Sequence, residues 1–206
     1  AIYSTFLQRA YDQLIHDVAL QKLDVTLAID RAGFVGGDGA THAGIFDVSF
    51  LRCIPNMIIM SPSDENECWK MLSTGYNYSG PAAIRYPRGE GPGTEILENF
   101  DLLEIGKARL INETLSDLVI LSFGNMLDLS MEIADQINCS LVDMRFIKPL
   151  DEELIEKCAK KYKHIITIEE NVITGGAGSA VNEYLTKIGY SEKLKIFGIP
   201  DEFPIV

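Results

Sequence analysis

The 206-residue sequence is poor in basic residues, and it has no long apolar run. Its 18 Lys and Arg residues are outnumbered by 30 Asp and Glu residues, which gives a formal net charge of −12. This balance argues against a nucleic-acid partner, because phosphate backbones bind to concentrated basic faces. No stretch of about 18 apolar residues and no signal peptide is recognisable, so we expect no membrane partner. An anionic ligand would need a local group of arginines.

Cysteine is also scarce. The four cysteines, Cys53, Cys68, Cys139 and Cys158, are widely spaced and form no CxxC pair. This spacing predicts neither a zinc site nor a disulfide framework, and we expect no metal ligands of that kind. A reducing, cytoplasmic location is therefore the expectation.

Apolar runs rich in β-branched residues alternate with segments of helical spacing, which is typical of an α/β fold with parallel sheets. The predicted strands are 25–29, 57–60, 82–86, 108–111, 118–122, 140–143, 165–169 and 195–198. The predicted helices are 6–21, 46–52, one capped by Ser63 that ends near residue 78, 125–138, 151–162 and 179–188.

A turn-rich stretch and a predicted linker over 92–103 divide this series in two. We therefore predict two doubly wound α/β domains, over residues 1–92 and 93–206. The first begins directly on an apolar strand end, so we expect that the chain is a piece of a larger protein.

The richest local pattern is a loop over residues 30–44, which holds five glycines and follows the predicted strand 25–29. Loops at the carboxyl ends of buried parallel strands are where open α/β sheets place ligands. Asp38 and His42 are four positions apart in this loop. The spacing predicts that the carboxylate orients the imidazole for proton transfer, and the alternative is that both side chains cap loop amides.

Arginines mark the ends of two predicted strands. Arg31 opens the glycine-rich loop, and Arg85 and Arg88 flank the end of strand 82–86. Such positions present paired donors to a carboxylate or phosphate, and a salt bridge to one of the many acidic residues is the alternative. Arg88 is the stronger candidate because it lies beyond Pro87, in the loop.

Three further features are less specific. Tyr3 lies at a strand end open to ligands, with core packing as the alternative, and Arg9 is interpreted as solvated surface. Residues 175–178, rich in glycine, lack the spacing of a phosphate-binding loop. Tight packing of a helix on the sheet is the preferred interpretation of that segment.

Seven segments together resemble the 1-deoxy-D-xylulose 5-phosphate synthase family of the transketolase superfamily. They are residues 3–13, 30–33, 38–44, 62–66, 85–89, 142–151 and 169–178. The resemblance covers essentially the whole chain. It implies a truncated thiamine-diphosphate pyrimidine-binding domain followed by a transketolase C-terminal domain.

The resemblance implies a thiamine-diphosphate- and Mg²⁺-dependent transferase. It would condense pyruvate with D-glyceraldehyde 3-phosphate, release carbon dioxide and supply precursors for isoprenoid and thiamine biosynthesis. Carried over by position, Arg31, Arg88 and Tyr3 would hold the phosphate of the aldehyde. Arg9, Asp38 and His42 would lie over the thiazolium ring, with His42 handling protons.

The sequence lacks the family's diphosphate- and magnesium-binding segment and the segment that carries its catalytic glutamate. We therefore expect the chain alone to be inactive, and we expect a homodimer in the complete enzyme. A non-catalytic binding or dimerisation piece is the second hypothesis. The presence of Arg31, Asp38, His42 and Arg88 argues against it.

Overall fold

A computed structural model describes residues 1–98 and 101–203, and within those ranges it contains two five-stranded sheets. The strands of the first sheet, in spatial order, are β1 (Ile2–Tyr3), β2 (Thr26–Asp30), β4 (Ala82–Arg85), β3 (Ile58–Met60) and β8 (Phe146–Lys148). Strands β1 to β4 pair in parallel, and β8 is antiparallel to β3. The loops after β2 and β4 therefore leave the same edge of the sheet.

The second sheet is also mostly parallel. Its strands, in spatial order, are β10 (Leu194–Ile199), β9 (His164–Val172), β6 (Leu118–Ser122), β7 (Ser140–Asp143) and β5 (Arg109–Asn112). Only β5 runs antiparallel to its neighbour among these described strands. The predicted fold class, two α/β domains with parallel-rich sheets, is confirmed.

Helices flank both sheets. They are α1 (Ser4–Leu7), α2 (Tyr11–Gln13), α3 (Asp47–Arg52), α4 (Glu65–Asn77), α5 (Leu127–Ile137), α6 (Glu152–Lys161) and α7 (Ala177–Ile188). The continuous helix predicted over 6–21 is wrong in detail, because a 3₁₀ turn at Gln8–Ala10 separates α1 from α2 and a π-helical segment, Leu14–Ala19, follows. The apolar face is nevertheless retained, since Leu7 and Leu14 are buried.

Two local predictions need correction. The cap of α4 is Asp64 and not Ser63, because Asp64 Oδ1 accepts the hydrogen bond from Glu67 N at 2.8 Å. The Ser63 hydroxyl instead donates to Asp143 Oδ2 at 3.0 Å. Strand β8 was missed, since it has only three residues and pairs with β3, which is distant in the sequence.

The predicted linker contains no helix or strand in its described part and is tied to α4. Glu65 accepts backbone hydrogen bonds from Gly93 at 2.8 Å and from Thr94 at 3.2 Å. Asn99 and Phe100, also in that linker, lie outside the described residues.

One apolar cluster links the two sheets. It includes residues from strands and helices of both parts: Leu7, Ile29, Val48, Ile59, Leu121, Val142, Ile155 and Leu185. The two sheets are therefore packed as one body around a common core. None of the helices in the described ranges has the length and apolar character needed to cross a bilayer.

Candidate active site

The glycine-rich loop after β2 is closed at its neck by two backbone hydrogen bonds. Gly33 N donates to Gly44 O at 2.7 Å, and Gly44 N donates to Gly33 O at 2.9 Å. Gly44 has no room for a side chain, because a Cβ there would lie 2.1 Å from the carbonyl oxygen of Arg31. The neck therefore fixes both ends of the loop, and the segment between them carries the polar candidates.

Asp38 on this loop joins the two arginines that follow β2 and β4. Its Oδ2 atom accepts hydrogen bonds from Arg31 Nε at 2.9 Å and from Arg88 Nε at 2.8 Å. The hydrogen bond from Arg31 is the main cause that lowers the pKa of Asp38, and Arg88 adds to the effect. The structure thus brings together three residues that the sequence had marked separately.

Arg31 is held in place from several sides. Its backbone lies in the left-handed region, with φ of 59°, and its amide donates to Asp30 Oδ1 at 2.7 Å. Its Nη1 atom donates to Asp30 Oδ2 at 2.9 Å, and its guanidinium carbon lies 3.9 Å from the centre of the Tyr3 ring. These contacts orient the guanidinium before any ligand arrives.

His42 lies beside an aromatic pair. The centre of its ring is 6.4 Å from that of Tyr3 and 5.9 Å from that of Phe6, and the Tyr3 and Phe6 rings are stacked 5.1 Å apart. Its Nδ1 atom is 3.0 Å from Thr41 Oγ1. The Asp38 carboxylate is bonded to the arginines, so the expected hydrogen bond that would orient His42 is not formed among the described residues.

Arg9 is not part of this group of contacts. It lies on the exposed 3₁₀ turn between α1 and α2, and it makes no hydrogen bond or ion pair with the part of the chain that the structure describes. Its predicted role over the thiazolium ring stays a prediction.

Arg85 has a structural role, as the comparison with Arg88 suggested. Its side chain is buried, and its Nε atom donates to Asp47 Oδ2 at 3.0 Å. Its Nη2 atom donates to the carbonyl oxygen of Glu170 at 3.1 Å. These contacts satisfy its charge inside the protein, so the ligand candidate at this strand end is Arg88.

The second sheet contributes side chains that sequence reasoning missed. Glu170, in β9, accepts a hydrogen bond from Phe34 N at 3.1 Å and another from the Asn125 side chain. A Cβ at Gly33 would collide with the Glu170 carboxylate, 2.3 Å away, so a glycine is needed there. Glu170 precedes the second glycine-rich segment in the sequence, but only folding brings it to this loop.

A cavity of about 570 Å³ opens between the two parts of the protein at this point. Arg88 and Tyr86 line it from the first sheet, and Asn125 and Glu170 line it from the second. The candidate site therefore adjoins a space large enough for a small metabolite.

The second glycine-rich segment matches the packing interpretation. Glu169 accepts hydrogen bonds from the backbone amides of Ala177 and Gly178, both at 2.7 Å, at the start of α7. Burial raises the pKa of Glu169 to about 7, and these two amides oppose the rise. A carboxylate of the protein itself thus occupies the position where a phosphate would bind.

Two family models match the chain. They are described as the transketolase pyrimidine binding domain, over residues 1–94, and the transketolase C-terminal domain, over residues 106–205. With the two α/β sheets and the loop site between them, these matches show that the chain belongs to the transketolase family. No group of three or more His, Cys, Asp and Glu residues in the described ranges is arranged to hold a metal ion.

Within this family, the sequence is similar to 1-deoxy-D-xylulose-5-phosphate synthases. It is 59% identical to that of Hahella chejuensis over 203 residues, which are 98% of this chain and 31% of the relative. It is 56% identical to that of Francisella tularensis subsp. novicida over 205 residues, which are 98% of this chain and 33% of the relative. The predicted resemblance is confirmed, and the chain spans about a third of the length of these curated relatives.

Solved structures agree with the fold. A protein described as a split gene transketolase, inactive beta4 tetramer, matches with a TM-score of 0.88 and 28% identity, over 99% of this chain and 67% of that one. The transketolase of Campylobacter jejuni matches with a TM-score of 0.71 and 19% identity, over 98% of this chain and 30% of that one. The second likeness concerns the fold alone.

Proposed function

We propose that this chain forms the part of a 1-deoxy-D-xylulose-5-phosphate synthase that binds the aldehyde substrate. The complete enzyme would condense pyruvate with D-glyceraldehyde 3-phosphate, release carbon dioxide and yield 1-deoxy-D-xylulose 5-phosphate. The observation that carries the proposal is the convergence of Arg31 and Arg88 on one carboxylate oxygen. Because the chain spans about a third of its relatives, this activity is proposed for the complete protein.

The arginine pair is suited to the phosphate group of the aldehyde. Guanidinium groups bind phosphate through paired hydrogen bonds, and two of them neutralise its charge. Tyr3 supports the site by placing its ring under the guanidinium of Arg31. In a protein with a formal net charge of −12, an anionic substrate needs a local group of arginines of this kind.

The neighbouring aromatic face fits the rings of thiamine diphosphate. The Phe6 side chain is 47% exposed although it is large and apolar, and it lies beside Tyr3 and His42. Planar apolar surfaces of this kind pack against flat heterocycles. When bound, the cofactor would supply the carbon nucleophile for the reaction. We place the sites for its diphosphate group and for Mg²⁺ in the part of the relatives that this chain does not span.

We assign proton transfer to His42 and binding of substrate near the thiazolium to Arg9 and Asp38. His42 is the only one of the three histidines placed in the candidate site, and an imidazole exchanges protons near neutral pH. Within the described residues, Nδ1 is the one ring nitrogen of His42 that is within hydrogen-bond distance of a partner, which leaves Nε2 for a substrate oxygen.

A homodimer in a reducing cytoplasm is the proposed setting. The description of the split gene transketolase as a beta4 tetramer supports self-association of this part of the family. The four cysteines are free thiols, which suits a reducing compartment.

Replacing Arg88 tests the phosphate assignment. In the complete enzyme, Arg88→Ala is expected to raise KM for D-glyceraldehyde 3-phosphate about 10- to 100-fold, the range for a lost charge-assisted hydrogen bond, while KM for pyruvate changes little. Steady-state kinetics with each substrate varied in turn provides the measurement. Arg88→Lys keeps the charge but not the paired donors, so its KM for D-glyceraldehyde 3-phosphate should lie between those of wild type and Arg88→Ala. An equal rise in KM for both substrates would contradict the assignment.

Reconstitution separates the enzyme from the non-catalytic alternative. We expect no turnover from the 206-residue chain alone, as the description of the split gene transketolase tetramer as inactive also suggests. Adding the remaining portion of the relatives should restore tight binding of thiamine diphosphate, measured by calorimetry. A chain that turns over by itself would refute the expectation, and failure to bind cofactor after reconstitution would favour a non-catalytic binding piece.

A further inference from the structure

The space between the two arginines is filled by an anion that belongs to the protein. Arg31 Nε and Arg88 Nε donate to the same atom, Asp38 Oδ2, and Asp38 is the one carboxylate in the described chain that bridges them. A phosphate group held by both arginines would need the position of this carboxylate. The site therefore contains a competitor for its proposed ligand.

We propose that Asp38 is a specificity-determining residue whose carboxylate is exchanged for the phosphate of the substrate. In the free protein it keeps both guanidiniums paired, and a phosphorylated aldehyde displaces it from them. The inference rests on the proposed function, since it takes the arginine pair to be the phosphate site. No covalent bond changes in this exchange.

The loop is built so that Asp38 can leave without unfolding. Asp38 closes a short 3₁₀ turn, Gly36–Asp38, which begins at Gly36 with φ of 54° and is followed by Gly39 with φ of 79°, both in the left-handed region. Apart from the adjoining residues in the chain, no atom of the described residues lies within 4 Å of a Cβ built at either glycine. The described part of the chain therefore leaves space around these two glycines, whereas the hydrogen bonds between Gly33 and Gly44 hold the neck.

Arg31 keeps its other contacts when Asp38 leaves. Arg31 retains two hydrogen bonds to Asp30 and its stacking on Tyr3. The side chain of Arg88 is 47% exposed, so an incoming ligand reaches it from solvent. Arg31 is thus held in place by the protein, and Arg88 is accessible to the ligand.

Charge explains why a phosphate group would displace the Asp38 carboxylate from the arginines and a singly charged anion would not. A phosphate monoester carries close to two negative charges and three acceptor oxygens, so it pairs both guanidiniums better than a carboxylate does. The carboxylate of pyruvate carries one charge, like that of Asp38, and it gains nothing by the exchange. Asp38 therefore keeps pyruvate and unphosphorylated aldehydes out of the aldehyde site, which is specificity achieved by competition.

Anion binding to the complete enzyme tests this role directly. In isothermal titration calorimetry with inorganic phosphate, Asp38→Asn is expected to bind about tenfold more tightly than wild type, the scale of one charge-assisted hydrogen bond. Acetate, as a singly charged probe, should gain measurable binding as well. Asp38→Ser, which also removes the charge, should reproduce both results and guards against a folding defect of one variant.

Asp30→Asn is the matched control. It removes the same charge beside Arg31 but leaves the Asp38 bridge between the two arginines intact. We expect it to change phosphate affinity less than Asp38→Asn does. An equal gain in both variants would mean that only the local electric field matters, and that result would overturn the exchange.

Arg88→Ala separates the two proposals. If it weakens phosphate binding while the Asp38 variants do not strengthen it, the exchange is wrong and the phosphate site stands. If it leaves phosphate binding unchanged, the arginine pair is not the phosphate site, and the proposed function loses its main support together with this inference.

Discussion

At the scale of single residues, the site depends on charges that are paired inside the protein. Arg85 and Asp47 are both buried, and their ion pair lies directly beneath the neck of the glycine-rich loop. Removing one partner of such a pair leaves an uncompensated charge, which is why pairs of this kind tolerate little change. Arg88, three residues further along the chain in the loop after β4, is exposed and can exchange its partner.

Glu169 provides a prediction about pH. Burial raises its pKa from 4.5 to about 7, so the folded state binds its proton more tightly than the unfolded state does. This contribution to stability is complete below pH 4.5 and is lost as pH rises towards 7. The unfolding free energy of wild type minus that of Glu169→Gln should therefore fall by up to about 3 kcal/mol over this range.

Urea unfolding of both proteins at pH 4.5, 6 and 8 measures that difference. Groups common to the two proteins cancel, so the slope belongs to residue 169. A difference that stays constant with pH would contradict the raised pKa. A difference that grows with pH would show that the amides of α7 outweigh burial and that the pKa is lowered instead.

At the scale of elements, side chains at the start of α4 fix both a helix end and the connection between the two parts. Asp64 caps the helix through Glu67 N, and Glu65 holds the backbone of Gly93 and Thr94. Both carboxylates lie in the first turn or just before it, where the helix dipole favours negative charge. The start of α4 therefore combines a local cap, Asp64, with a contact to a segment distant in the sequence, made by Glu65.

Replacing the cap tests this correction. Asp64→Ala should lower the unfolding free energy by about 1 kcal/mol, since the amide of Glu67 loses its acceptor, and Asp64→Asn should lower it much less. Urea denaturation followed by circular dichroism gives both values. If Asp64→Ala left the unfolding free energy unchanged, the assigned cap would be wrong.

At the scale of the whole molecule, a charge network joins the helix α4 of the first sheet to the second sheet. Glu67 is buried and accepts a hydrogen bond from Arg145 Nη2 at 2.8 Å. Asp143, at the end of β7, accepts from Arg109 Nη2 at 3.0 Å and from the Ser63 hydroxyl. This network and the shared apolar cluster predict that the two parts unfold together.

Glu67→Gln should lower the stability of both parts at once by about 2 kcal/mol, because it leaves the partly exposed Arg145 without its charge partner. The fluorescence of Trp69, the single tryptophan, follows α4, and far-ultraviolet circular dichroism follows the whole chain. We expect the two signals to give one coincident transition in wild type and in the variant. Separate transitions would contradict the idea of a single cooperative unit.

The sequence alone determined the alternation of strands and helices, because β-branched runs and helical spacing are local properties that survive folding. Strands β6 and β7 match the predicted bounds, and most other bounds differ by a few residues. The family resemblance also came from the sequence, since its motifs are contiguous. These features can be predicted without knowing which segments pack against them in the folded protein.

Only the tertiary structure determined the hydrogen-bond partner of each polar side chain in the site. Asp38 binds Arg31 and Arg88 and not His42, which is nearer in the sequence. Glu170 reaches the glycine-rich loop from another sheet. Strand β8 joins the first sheet although it lies in the second half of the chain. These pairings join segments that are remote in the sequence. The segments come close to one another only when the sheets form and the carboxyl ends of parallel strands meet at one edge.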